Sequence, residues 1–109
     1  MAIEALTPRE QQVVLQCMKA VAVLIEEWEM HSRLGIECTE LQMLIGQWPA
    51  IDDSIQDSDG FLAINNSLNE ICNGVNVHDW NSFFDSTPDE VRETYQNWLR
   101  LQRIHGGLR

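Results

Sequence analysis

Two near-copies of one short signal stand at opposite ends of the chain, Thr7-Pro8-Arg9-Glu10 and Thr87-Pro88-Asp89-Glu90. In each, Thr can cap a helix, and Pro occupies the first helical position, where its missing N–H costs nothing. The Glu two residues after the Pro can close a capping box. After the first signal Val13, Val14, Cys17, Met18, Val21, Leu24, Ile25 and Trp28 keep to one side at helical spacing. Gln12, Gln16, Lys19, Glu26 and Glu27 lie mostly opposite, which predicts one long helix over 8–33, stopped by Leu34-Gly35. After the second signal Val91, Tyr95, Trp98, Leu99 and Leu101 turn inward. Asp89, Glu90 and Glu93 at the start and Arg100, Arg103 and His105 near the end complement the helix dipole.

Between these helices Thr39 and Gln42 repeat the capping pattern ahead of a short stripe of Leu41, Leu44, Ile45 and Trp48 that Pro49 ends. Residues 50–60 contain four Asp and two Ser and read as a loop, ending where Ser58 or Asp59 can cap another helix. Residues 78–85 suit a short helical turn that carries Trp80, Phe83 and Phe84 into the core. No stretch alternates with period two, so the expected fold is all-α. The expected architecture is a compact bundle of four main helices plus one short helix, with the long N-terminal helix central and 1–109 forming a single domain. The ends, 1–6 and 106–109, are expected to be flexible.

Segment 61–75, FLAINNSLNEICNGV, separates on a helical projection into three faces. Phe61, Ile64, Leu68, Ile71, Cys72 and Val75 fall within roughly 100° of one another and form a core-facing stripe. Asn65, Asn66, Asn69 and Asn73 make a second strip, with Leu62 among them, and Ala63, Ser67 and Gly74 a third of small residues. Asparagine is a poor helix former, and a buried amide without a partner costs about 1–3 kcal/mol, so the row must be either exposed or fully bonded. Bonded internally, its partners are expected in the 50–60 loop and the 76–80 segment. Exposed, it is a hydrogen-bonding surface beside a groove suited to a closely packed helix from another chain. The back of the long helix adds a second candidate surface, since Val23 and Met30 are seven residues apart and nearly superposed on a continuous helix.

Charge narrows the function classes. The chain carries 17 acidic and 7 basic residues, a net charge of -10. Between Glu26 and Glu90 fourteen Asp or Glu stand against Arg33 alone, 14 minus 1, so direct binding of nucleic acid or an anionic membrane by that segment is disfavoured. The apolar run at 20–25 is far short of the ~20 residues that span a bilayer. Cys17, Cys38 and Cys72 are widely spaced, with neither a C-x-x-C nor a leader pattern in the opening residues, and read as reduced thiols in a cytoplasmic protein.

Two short stretches resemble known families. Leu6-Thr7-Pro8-Arg9-Glu10 resembles the opening of the LuxR-type helix-turn-helix domain. The likeness covers about six residues, and no basic recognition helix follows, so shared capping chemistry accounts for it. Asp57-Ser58-Asp59-Gly60 followed by Leu62 is similar to the middle of an EF-hand loop. Setting Gly60 at that loop's glycine puts Ile55 and Asn66 where acidic ligands belong, so a helix cap is the better reading.

No catalytic, cofactor or metal motif emerges from the sequence, and no cofactor is expected. The expected role is that of a non-catalytic protein acting by protein contact, as a homodimer or as an acidic inhibitor, immunity-like or adaptor partner of a basic protein. Its candidate interaction surface comprises Asn65, Asn66, Asn69, Glu70, Asn73, Ala63, Ser67, Val23 and Met30. The alternative is a helical binder of a small ligand or metal, possibly an enzyme. It requires Glu27, His31, Asn69 and Glu70 to converge on a common cavity.

Overall fold

The structure, a computed structural model, describes residues 1–105. The polypeptide is all-α: α1 (Ala2–Ala5), α2 (Pro8–Leu24), α3 (Glu27–Leu34), α4 (Cys38–Gln47), α5 (Asp59–Asn69), α6 (Trp80–Phe83) and α7 (Pro88–Ile104). A π-turn, Glu70–Gly74, continues α5. Among the described residues no helix is long and apolar enough to cross a membrane.

Both Thr-Pro signals start helices as the sequence requires. At α2 the box is reciprocal: Thr7 Oγ1 accepts from the Glu10 N–H (3.1 Å), and Glu10 Oε1 accepts from the Thr7 N–H (3.0 Å). At α7 Thr87 Oγ1 accepts from the Glu90 N–H (3.1 Å), but the Glu90 carboxylate turns to Arg9 instead. Ser58 caps α5, and Gly35 ends α3 at φ +80, a left-handed conformation that glycine tolerates without a Cβ clash.

The long helix expected over 8–33 is two helices. Ile25 and Glu26 are both extended, although neither Gly nor Pro marks the break. The β-branched residues Val21, Val23 and Ile25 weaken helical propensity there, and packing decides the rest. On a continuous helix Val23 and Met30 would share a face, whereas here Val23 is 71% exposed and Met30 0%. Two extended residues reset the helical phase, so that Met30 and Leu34 enter the core as α3 packs on α5. The same shift turns Trp28, expected inward, out to solvent.

In segment 1–6, expected to be flexible, Ala2, Ile3 and Leu6 are buried and α1 packs on α7. Two further expectations are corrected. Helix α4 begins at Cys38 behind Glu37, which makes no side-chain cap; Thr39 lies inside the first turn. The bundle therefore has seven α-helices among the described residues, more than the four main and one short that the sequence suggested. Segment 106–109, expected to be flexible, lies outside the described residues.

Helix α2 is packed against α4, α5, α6 and α7 and is shorter than the helix expected over 8–33. Its buried Val13, Val14, Cys17, Met18 and Val21 join Leu41 of α4, Phe61, Ile64 and Leu68 of α5 and Val91 and Trp98 of α7 in one core.

Candidate functional site

The asparagine row divides. Asn66 Nδ2 donates to the Leu34 carbonyl (2.7 Å), satisfying a backbone oxygen at the end of α3. Asn65 Oδ1 accepts from Tyr95 Oη of α7 (2.8 Å), and Asn65 Nδ2 donates to Asn66 Oδ1 (3.0 Å). These two amides bind α3 and α7 to α5, rather than the 50–60 loop and the 76–80 segment. Asn73 Nδ2 donates to Asn69 Oδ1 (3.0 Å), and this pair is exposed.

The small-residue strip is closed by the chain itself. Ala63 and Ser67 are fully buried, and the most extensive packing of α5 is against α2 of the same molecule. Gly74 is exposed, but the Glu70 carboxylate occupies the place a Cβ would take there. Ala63, Ser67 and Met30 therefore lie in the interior, not on a surface. Of the candidate interaction residues, Val23, Asn69 and Asn73 face solvent.

The ligand-binding alternative required four side chains to converge. His31 Nδ1 instead meets Glu37 Oε1 (3.1 Å), not Glu27, and Glu70 Oε1 lies 3.6 Å from Arg33 Nε. Asn69 pairs with Asn73, and Glu27 is exposed. Among the described residues no group of His, Cys, Asp or Glu is arranged to hold a metal ion. A shallow groove of about 250 Å³ lies between the π-turn and α7, lined by Cys72, Asn73, Arg92, Tyr95, Gln96 and Leu99. Burial pushes the Cys72 thiol up from its ordinary pKa, and burial pushes Cys17 up further, so neither is poised as a thiolate nucleophile.

Sequence reasoning missed the strongest buried polar feature, Asp53. Its side chain is 0% exposed in a loop whose other Asp residues face water. Oδ2 accepts from the Ile3 N–H (3.0 Å) and from Trp98 Nε1 (2.9 Å), while its backbone oxygen accepts from Gln102 Nε2 (2.9 Å). One residue thus fastens α1, the 50–60 loop and α7. Among the described residues Oδ1 has no hydrogen-bond partner, and burial raises the carboxyl pKa against the lowering effect of the Trp98 and Ile3 donors. Ile51, two residues before it and buried, gave little signal, since the equally apolar Ile55 two residues after it is exposed.

A second cluster sits on the outside. Arg9 grips Glu90 with Nε (2.9 Å) and Nη2 (3.0 Å) and reaches Asp85 with Nη1 (3.0 Å). The Glu90 carboxyl is held below its ordinary value by the hydrogen bond from Arg9, and Asp85 by bonds from Gln16 and then Arg9. The arginine of the first Thr-Pro signal is thereby spent on closing α2 against the second.

Surface chemistry distinguishes the α2–α3 junction. Trp28 is 79% exposed and among the described residues has no aromatic partner, whereas Trp80 stacks on Phe84 and Trp98 contacts both Phe61 and Tyr95. Beside it in sequence stand the exposed Glu26 and Glu27, with exposed Val23 just before the break. No family model, curated protein or solved structure matches this chain.

Proposed function

We propose that this chain is a non-catalytic contact protein that docks, through its acidic middle segment, onto a basic protein. The observation that carries the reading is the distribution of charge. Of the residues between Glu26 and Glu90 only Arg33 is cationic, and its guanidinium is directed at Glu70 of the same chain. The carboxylates of α3 and the start of α4 are thus left to act together on a cationic partner. Such a surface raises the encounter rate and rejects polyanions, while apolar contacts fix the docked pose. The same charge opposes pairing of this face with its own copy in a homodimer, so a basic partner is favoured over self-association.

The test is capture by the native chain from its own cell extract at low salt. It is run beside a variant in which Glu26, Glu27, Glu37 and Glu40 are changed to Gln. A Lys/Arg-rich protein should be retained by the parent, released as salt rises, and lost from the variant. Identical retention by both proteins, or binding indifferent to salt, would refute the proposal.

A further inference from the structure

The observation that goes furthest is the orientation of Trp28. In α3 the buried residues Met30 and Leu34 follow it by two and six positions, about 200° and 240° around the helix, so the indole projects from the opposite face. It cannot rotate into the core without withdrawing Met30 and Leu34. Its nearest neighbours on that face, His31 and Ser32, are exposed as well. Among the described residues the indole N–H has no hydrogen-bond partner, and no aromatic ring lies against it. Burial of Met30 and Leu34 puts this large apolar side chain out in water, where no described residue covers it, and such residues supply much of the energy of protein interfaces.

Charge selects among the surfaces that could cover it. Glu26 and Glu27 precede Trp28 and Glu29 follows it, and the one imidazole nearby, His31, is joined to Glu37. An anionic membrane or a nucleic acid would meet this rim with like charge. A second copy of the chain would set the same carboxylates against one another. We infer that Trp28 is the anchor of the docking surface and inserts into an apolar slot on a protein partner whose rim carries Lys or Arg side chains facing Glu26, Glu27 and Glu37. This inference rests on the proposed contact function and names the residue and the partner chemistry through which it acts.

The experiment is site-specific photo-cross-linking with the full chain. Trp28→p-benzoylphenylalanine and, as a control on another face, Gln12→p-benzoylphenylalanine are irradiated in native extract at low salt, and the cross-linked peptides are sequenced. Position 28 should label a segment with apolar residues flanked by Lys or Arg, and position 12 should not. With the protein so labelled, Trp28→Ala should weaken binding about thirtyfold or more, the level of an interface hot spot, without changing the thermal unfolding of the free chain. Labelling of the chain's own copy, of an acidic or purely polar segment, or of nothing at position 28 would overturn the inference. So would an unchanged affinity for Trp28→Ala. If salt-sensitive capture persists in any of those cases, the contact function stands and Trp28 is not its anchor; if capture is itself absent or insensitive to salt, both fall.

Discussion

Replacing Asp53 by Ala tests the buried junction that joins α1, the 50–60 loop and α7. The substitution leaves two donors without an acceptor, Trp98 Nε1 on a side chain with 0% exposure and the N–H of buried Ile3. Each orphaned buried donor costs about 1–3 kcal/mol, so the gross loss is about 2–6 kcal/mol. Against this, Ala removes a carboxylate whose desolvation is unfavourable and one of whose oxygens has no hydrogen-bond partner among the described residues. A net loss of about 2 kcal/mol is therefore expected near neutral pH, a large share of the roughly 5–15 kcal/mol typical of a domain. The pH dependence follows from the sign of the shift. Asp53 has a raised pKa in the folded state, so its contribution is full below the ordinary carboxylate value and declines as pH rises through the folded value. The penalty of Asp53→Ala should accordingly be larger near pH 4 than near pH 7. Urea unfolding of both proteins at each pH, followed by circular dichroism and by tryptophan emission, measures the two differences. A loss under about 0.5 kcal/mol at both pH values, the range of an ordinary surface substitution, would refute the role assigned to this carboxylate.

The break between α2 and α3 gives a paired expectation: Met30→Ala should cost about 2–5 kcal/mol, while Trp28→Ala should stay within about 0.5 kcal/mol, both read by urea unfolding. The opposite ranking would restore the continuous helix. Thr7→Ala removes one half of a reciprocal cap and should cost about 1 kcal/mol; a midpoint unchanged in denaturant would show the box to be idle. Gly60→Ala would drive a methyl into Ile51 Cγ2 (2.7 Å from an added Cβ) and the Asp52 backbone, so a loss of about 1–3 kcal/mol is expected from calorimetry, and a stabilised protein would contradict that packing. Because the folded-state pKa values of Asp85 and Glu90 are lowered, their contribution is present above the ordinary carboxylate range and lost as pH falls through the folded values. Arg9→Gln should flatten that acid limb of the stability curve, and an unaltered limb would count against the clamp.

Local chemistry was legible in the sequence at most helix ends where one residue type decides the geometry, Thr39 being the exception. Thr7, Ser58 and Thr87 cap the helices they precede, and Gly35 ends α3, because a hydroxyl acceptor or a missing Cβ acts within one turn of chain. The core stripe of 61–75 followed from spacing alone, with Phe61, Ile64, Leu68 and Ile71 buried. What periodicity could not show was a change of phase without a breaker residue. Ile25 and Glu26 read as helical, and the decision to extend them comes from Met30 and Leu34 reaching α5, a contact between distant parts of the chain. Asp53 was hidden for the same reason, since its partners Ile3, Trp98 and Gln102 lie 45 to 50 residues away in sequence. The asparagine strip was recognised as needing partners, yet their identity depended on where Leu34 and Tyr95 arrive in the fold. Trp28 was misassigned because a helical wheel drawn through the break gives it the wrong side.

The proposed function stands or falls most directly on the ionic-strength dependence of association with the partner cross-linked at position 28. Stopped-flow mixing of the two purified proteins reads the rate, and the expected result is a fall of about ten- to a hundredfold between low and high salt, carried by Glu26, Glu27 and Glu37. A rate that stays constant across that range would contradict an acidic docking surface.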